Sequence, residues 1–433
     1  MAQIYTVKEF DCFTANQNAS GYTVLPENIF DNLEKFILAN NSSNDDAPEL
    51  MGISVKKGVG KVITAQNYVG IISMKDGTTI EILPKVYEKN STDGQASKQK
   101  SKTLLLNMLR TLNNVPYKSV QRASLDADKL SIFEIFIRMF TDEVFSIVKY
   151  GLKCSYRTKK DNLNVYKGKL DVSNHIRYNA VHKERFFVEF DEYNADRAEN
   201  RIIKTTLQYL YKRTTSTKNK NDIRTLLNSF ADIQESTDYK KDFEQCVKER
   251  GTKTYSVALM WAEVFLKGKS FTAFAGSNVA IALLFPMEKL FESYVASLMR
   301  KSDFADKYQF SFQDKRYHLF ETPKKIFSLK PDIVALRRSD NNVYIMDTKW
   351  KILKPNKANY GISQADMYQM YAYYKKYSFS GTVKNITLIY PETSDFNENQ
   401  KLEFKSGDGV TVYANFINLY DENAIEKIFS QID

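Results

Sequence analysis

The chain has 433 residues, 43% hydrophobic and 26% charged, enough for two or three domains with sizeable cores. No apolar run approaches the roughly 20 residues of a membrane span, and Met1 to Lys8 carries no apolar secretory segment, so a soluble cytoplasmic protein without a membrane partner is expected. Lys and Arg number 62 against 52 Asp and Glu, a formal net charge of +10, which favours a phosphate backbone as partner.

Cys12, Cys154 and Cys246 are far apart and give no zinc spacing, which fits a reduced compartment. With only His175, His182 and His318 in the chain, no histidine metal cluster is expected.

Taken in order, residues 1 to about 90 read as strand-rich, with a helix from Pro26 to Leu38 and a polar loop from Asn40 to Pro48. Tyr68 to Val86 reads as a hairpin turning at Asp76-Gly77. Glu88 to Lys102 is rich in Ser, Lys and Gln and is expected to be an irregular segment. Thr103–Leu112 and Ser131–Tyr150 have helical period, the second with a broad apolar face suited to a core. Arg185 to Asp191 reads as a strand, and Tyr193 to Arg201 leads into a helix reaching Tyr211. Lys212 to Lys220 reads as a basic loop, and further helices are expected over Asp222–Phe230 and Val257–Leu266.

Tyr166 to Asn179 combines a basic, glycine-containing entry with many hydrogen-bonding groups. Asp171 and Asn174 are read as stabilising a local turn, and His175 as a buried, hydrogen-bonded residue. Gly58-Val-Gly60-Lys61 lacks the leading glycine and the Ser/Thr of a P-loop, and Lys267-Gly-Lys-Ser270 has Glu263 where that motif needs glycine. Neither is expected to bind a nucleotide.

Phe285 to Met299 reads as a helix with Pro286 in its first turn. Lys330 to Lys351 then reads as a hairpin, with apolar runs Ile333–Leu336 and Val343–Met346 flanking a polar turn. Asp332 enters the first strand and Asp347 leaves the second. Asp347 and Lys349 point the same way, because strand side chains alternate. Two acids at one point repel unless a cation sits between them, and a hard divalent ion, Mg²⁺, answers that need. The lysine then orients or helps deprotonate a water, or stabilises phosphorane-like charge. Glu292, on the preceding helix, is either a solvated or ion-paired residue or a further acid near the metal; the sequence leaves both open. Gln364 to Tyr377 reads as a second flanking helix with Gln369 and Tyr373 on one face.

Pro331-Asp332 with Asp347-Thr348-Lys349 resembles the motif of PD-(D/E)xK nucleases, and Gln369 with Tyr373 resembles the Gln-x-x-x-Tyr helix that follows the catalytic hairpin in several of them. More specific is an ordered series of blocks similar to the McrC family. It comprises the Gly70-Ile-Ile and Ile80-Glu-Ile-Leu-Pro-Lys85 hairpin, Lys167-Gly-Lys-Leu-Asp171 with His175-Ile-Arg177, Glu189-Phe-Asp191 and Glu199-Asn-Arg201. Leu290-Phe-Glu292, the catalytic hairpin and Asp366-Met-Tyr-Gln369 complete it.

The resemblance implies an α+β N-terminal part, strand-rich with added helices, followed by an α/β restriction-endonuclease-like C-terminal domain. The corresponding segments are 1–100, strand-rich; 101–275, motor-binding; and 276–433, nuclease. It further implies a nuclease subunit of a modification-dependent or LlaJI-type restriction system that cuts double-stranded DNA with Mg²⁺. Asp332, Asp347 and Glu292 would be metal ligands, and Lys349, Gln369 and Tyr373 would complete the catalytic set. The implied partner is an McrB-like AAA+ GTPase hexamer, which the N-terminal part plugs and stimulates. Lys167, Lys169, Arg177 and Arg201 are the candidate contacts, and dimerisation through the nuclease domain is a further expectation. A stand-alone repair nuclease and a non-catalytic adaptor that only activates the motor are the competing readings.

Overall fold

The computed structural model describes residues 3–41, 51–74, 76–85, 94–109, 111–112, 130–248, 254–267, 279–379, 381–421 and 423–432. The chain forms two compact units, the first from 1–120 and 270–433 and the second from 121–269.

The first unit begins with strands β1 (Ile4–Lys8), β2 (Cys12–Thr14) and β3 (Thr23–Val24), then helix α1 (Glu27–Asn41). Strands β4 (Met51–Lys56), β5 (Gly60–Ala65), β6 (Tyr68–Met74) and β7 (Thr79–Leu83) follow, then helix α2 (Gly94–Leu109). The expected β6–β7 hairpin forms, with the Asp76 carboxylate accepting from the Thr78 N–H at 2.8 Å. Every residue of both strands is buried, Ser73, Thr79 and Glu81 included. α1 runs three residues beyond the expected end, and the remainder of the expected polar loop, 42–48, lies outside the described residues.

The expected irregular segment is corrected over 94–102, which is the first half of α2. Its Gln, Ala, Ser and Lys residues contain no β-branched side chain to oppose a helix, and the buried Leu104, Leu105, Leu106 and Met108 further along hold the helix in place.

The second unit is built on helix α3 (Ile132–Tyr150). Strands β8 (Ser155–Leu163) and β9 (Lys169–Leu170), helix α4 (Val172–Asn179) and strand β10 (Phe186–Asn194) come next. Helices α5 (Ala198–Tyr211), α6 (Thr217–Ser229), α7 (Tyr239–Lys248) and α8 (Ser256–Lys267) complete it. The apolar face of α3 is core as expected, with Phe136 against Trp261 at 5.4 Å between ring centroids. Glu134 is buried in that face, and its carboxylate accepts from Thr214 Oγ1 at 2.7 Å, the Thr215 N–H at 2.6 Å and Asn219 Nδ2 at 2.7 Å. The basic loop ends earlier than expected, because Ser216 caps α6 and draws residues 217–220 into the helix.

The chain then returns to the first unit as β11 (Val279–Pro286), continuing directly into α9 (Met287–Lys301) and the short α10 (Phe304–Lys307). β11 pairs antiparallel with β6 and completes a sheet of order β1-β7-β6-β11. This departs from the three consecutive segments read from the sequence: a strand from beyond residue 276 closes the sheet of the first hundred residues.

The last part carries β12 (Tyr308–Phe312), β13 (His318–Phe320), β14 (Ile326–Ser328), β15 (Ile333–Arg337) and β16 (Val343–Thr348). Helix α11 (Gln364–Tyr377), strands β17 (Val383–Pro391), β18 (Lys401–Lys405) and β19 (Thr411–Ile417), and helix α12 (Ala424–Ile432) end the chain. Six strands form a mixed sheet of order β12-β15-β16-β17-β19-β18, with β16, β17 and β19 mutually parallel. Met370, Tyr373 and Tyr377 of α11 share a core cluster with Ile345, Leu388 and Phe416 of these strands. No helix among the described residues is long and apolar enough to cross a membrane.

Gly70 sits where β11 crosses β6 most closely. Its φ is +135°, and a Cβ there would lie 1.9 Å from the Leu283 carbonyl oxygen. Gly70→Ala is therefore expected to destabilise the first unit by ~3 kcal/mol. A urea melt with an unchanged midpoint would contradict this close crossing.

Candidate active site

The β15–β16 hairpin is closed by its own turn chemistry. Asp340 accepts from Arg337 Nε at 3.1 Å and from the Asn342 N–H at 3.1 Å, and Asn341 takes a φ of +56°. The register pairs Ile333 with Met346, so one residue further Asp332 stands across from Asp347. β17 covers the other edge of β16, and the Lys349 N–H donates to the Ile389 carbonyl at 2.8 Å, carrying the ladder past the end of β16. Both edges thus fix the backbone that carries Asp347 and Lys349.

Asp332 Oδ2 accepts from the Thr348 N–H at 2.8 Å and its hydroxyl at 2.7 Å. The Lys349 ammonium donates to Asp347 Oδ2 and, at 3.1 Å, to Gln369 Oε1. Gln369 Nε2 donates to the Tyr373 hydroxyl at 2.6 Å, so the two α11 residues form a chain behind the lysine. Asp366 lies on the same helix, 3.9 Å from Lys349 and 2.6 Å from Lys351.

Glu292 reaches the cluster from α9. Gln313 Nε2 bridges it, donating to Glu292 Oε1 and, at 3.2 Å, to Asp332 Oδ1. Gln313 itself has a φ of +51°, and its N–H donates to the Asp332 carbonyl at 2.9 Å. The sequence reading missed Gln313, since a glutamine after a short strand carries no pattern. The six expected residues thus fall into two bonded sets, Glu292 with Asp332 through Gln313, and Asp347, Lys349, Gln369 and Tyr373, which meet where Asp332 stands across from Asp347.

The electrostatics follow from burial. Glu292 is pushed up to about 7 by burial, then by the charges of Asp332 and Asp347. Asp347, 2% exposed, is pushed up to about 6 by burial and by Asp332. Burial also raises Asp332, against the opposing pull of the Thr348 hydrogen bonds. For Lys349, burial acts downward, but Asp347, Asp366 and Asp332 outweigh it and hold the ammonium above its ordinary range. Tyr373 is raised by burial and by Asp347, so its hydroxyl stays protonated.

Among the described residues no group of three or more His, Cys, Asp or Glu side chains is set around one point to hold a metal ion. The donor chemistry nonetheless suits a hard divalent cation: the charge of Asp332 raises the proton affinity of both Glu292 and Asp347, the mark of negative charge in need of a counter-ion. Mg²⁺ is commonly held by one or two carboxylates plus substrate phosphates, so Asp332 and Asp347 suffice in kind.

A second missed residue lies behind the hairpin. Trp350 Nε1 donates to both oxygens of Glu9, at 2.8 and 3.0 Å, and the Lys85 N–H donates to Glu9 Oε1 at 2.9 Å. Glu9 is 1% exposed, and burial pushes it up to about 7.

The other expected residues lie in the second unit. Lys167 places its ammonium 4.3 Å from the centroid of the Phe190 ring, Arg177 lies over Tyr178, and Lys169 is exposed on β9. Gly168 between the two lysines has a φ of +74°, and a Cβ there would meet the Glu189 carbonyl at 2.4 Å. Arg201 is instead committed to Asp196, with Nε at 2.7 Å, and is largely buried. Asp171 caps α4 by accepting from the Asn174 N–H at 3.2 Å, the local role expected, whereas His175 accepts from the Phe187 N–H at 3.3 Å as expected but is only half-buried.

The Glu292 shift gives a pH signature. Its folded value, about 7, lies above the ordinary 4.5, so the stability it lends is full below 4.5 and is lost as pH rises through 7. In chelator, Glu292→Gln should flatten the decline in stability between pH 5 and 8 by roughly 1–2 kcal/mol, after discounting for its partial exposure. Thermal melts of the two proteins that run parallel across this range would remove Glu292 from the coupled cluster.

The chain resembles solved structures along its length. A chain of the half-complex from the tetradecameric assembly of Thermococcus gammatolerans McrB AAA+ hexamers with bound McrC superposes with a TM-score of 0.71 at 19% identity, covering 100% of both chains. A chain of the Thermococcus gammatolerans McrBC complex gives a TM-score of 0.51 at 20% identity, covering 69% of this chain and 88% of that one. No curated protein sequence matches. Residues 63–391 match the model of the McrBC 5-methylcytosine restriction system component, more than half of the sequence. That match takes in the β15–β16 hairpin and the helices on either side of it, and the chain belongs to the McrBC restriction system component family.

Proposed function

We propose that this chain is the nuclease subunit of its restriction system, a Mg²⁺-dependent endodeoxyribonuclease of the PD-(D/E)xK type. The observation that carries the reading is the buried network in which Asp332, Asp347 and Lys349 meet at the end of one hairpin. The mixed sheet flanked by α9 and α11 supports the restriction-endonuclease-like fold. Asp332 and Asp347 would hold the metal, with Glu292 contributing through its bridge to Asp332. When bound, Mg²⁺ neutralises the carboxylates and polarises the phosphoryl oxygen.

Lys349 acts as a donor and a fixed positive charge. Its acid neighbours hold it protonated, which excludes a resting role as general base and suits stabilisation of charge on the phosphorane-like transition state. Gln369 orients that ammonium, and Tyr373 orients Gln369. The substrate is double-stranded DNA, and a cut through both strands needs two such sites, so two nuclease domains meet at the DNA.

The partner is an McrB-like AAA+ GTPase hexamer in the cytoplasm. Two observations support this. The structures similar over this chain contain McrB AAA+ hexamers with bound McrC, or the McrBC complex. In addition, the β8-β9-β10 sheet, α4 and the loops beside them carry Tyr156, Val165, Tyr166, Ile176, Tyr178 and Val181, each more than half exposed, together with the basic Lys167, Lys169 and Arg177. An aromatic and basic surface of this kind is suited to protein contact.

Asp347→Ala should abolish DNA cleavage with folding intact, because it removes a ligand and relieves repulsion among buried acids. Cleavage by the mutant at the unmodified rate would sink the assignment. Lys349→Ala should retain Mg²⁺ binding in calorimetry with DNA present, yet lose ~10²–10³-fold in rate; an equal loss of metal affinity would give the lysine a different role.

The division of labour is testable in the full chain. Truncation near residue 270 would strip β11 from β6, so the nuclease-dead Asp347→Ala protein is the better reagent. It should stimulate the partner GTPase fully, whereas adding Ile176→Asp and Tyr178→Asp should abolish stimulation. Undiminished stimulation by the triple variant would place the motor contact elsewhere.

A further inference from the structure

Immediately beyond the catalytic lysine the chain lines a cavity of about 360 Å³. Its wall draws Lys351, Lys354 and Lys357 from the segment after β16, and Lys85 from the segment after β7. Glu9 and Trp350 form the rest of the wall that matters here. Lys351 is already bound to Asp366 at 2.6 Å. Lys354 and Lys357 are exposed and form no ion pair with an acid among the described residues.

The segment that presents these lysines is shaped by its own backbone. The Lys354 N–H donates to the Tyr360 carbonyl at 3.0 Å, the Lys357 N–H to the Lys354 carbonyl at 3.2 Å, and the Tyr360 N–H to the Lys357 carbonyl at 3.0 Å. Asn359, Tyr360 and Gly361 all take positive φ to close it. Tyr360 packs against Phe396 at 6.0 Å and Phe404 at 6.3 Å between centroids, which seats the turn on the sheet. The lysines therefore stand on an ordered turn.

Glu9, the acid in the wall, opposes an anion only weakly. Both of its oxygens already accept N–H groups from Trp350 or Lys85. Burial also holds its carboxyl at about 7.

We propose that this cavity is a phosphate-binding subsite that grips the DNA backbone a few nucleotides from the bond cut at Lys349. The assignment rests on the nuclease reading above. A DNA strand carries one phosphate per ~3.4 Å of helix axis, so a strand held at Asp347 and Lys349 lays further phosphates along the chain that follows Trp350. Lys354 and Lys357 supply the compact positive charges such phosphates take, and Lys85 adds a third from the N-terminal sheet. The contacts are to backbone alone and read no sequence.

The test is fluorescence anisotropy of a labelled duplex with the full-length chain in chelator, across a salt series. Lys354→Ala/Lys357→Ala should lower the slope of log affinity against log salt by ~1.8, that is ~0.9 for each of two phosphates. Lys354→Arg/Lys357→Arg should restore it, and the melting temperature of either variant should match that of the unmodified protein. An unchanged slope in the alanine variant overturns the subsite while leaving the nuclease reading standing. No DNA binding by the unmodified chain overturns both. Calorimetric titration with GTP separates a free anion from a backbone: saturable GTP binding lost in the alanine variant would reassign the cavity to a nucleotide and overturn the proposal.

Discussion

Negative charge held out of water governs the six-stranded part of this chain. Asp332, Asp347 and Glu292 are all buried enough to raise their proton affinities, and the charge of Asp332 raises those of the other two further. Such a cluster persists only if the surrounding structure holds it in place. The restraints are identifiable: Thr348 gives Asp332 two hydrogen bonds, Lys349 neutralises Asp347, and Gln313 links Asp332 to Glu292. Closure of the hairpin at Arg337 and Asp340, and coverage of β16 by β17, keep the backbones from moving apart.

The same logic extends into the N-terminal sheet. Trp350 follows Lys349 directly, and its indole is fixed by Glu9 at the end of β1. The Phe291 ring, from the α9 turn that carries Glu292, packs 5.3 Å from the Trp350 ring. The strand-rich first hundred residues therefore help build the surroundings of the carboxylate cluster. They are joined to it by β11, which runs without a break from the N-terminal sheet into α9.

What the sequence made legible was local. Asp332, Asp347 and Lys349 end apolar strands of one hairpin, and Gln369 and Tyr373 are one helical turn apart, so spacing alone brings each group together. Gln313 and Glu9 reach their partners across 19 and 341 residues, and nothing in a glutamine or a single glutamate encodes such a contact. The apolar run Val279–Pro286 announces a strand without naming its neighbour, which is why three consecutive segments were expected where two units, one inserted in the other, exist. Arg201 shows the converse: a basic residue in a motif-like block reads as a contact for a partner, yet its guanidinium is committed to Asp196.

The insertion also sets an order of events on the ribosome. The second unit is contiguous in sequence, so every strand and helix it needs has emerged by about residue 269. The first unit must wait, because β6 cannot find β11 until some 200 residues after β7 has been made. At ~5–20 residues per second that delay is roughly 10–40 s, with a hydrophobic sheet edge open throughout. The carboxylates assemble later still, since β17 must cover β16 before Lys349 is fixed. A nascent chain thus completes its second unit well before it can bring the buried carboxylates together.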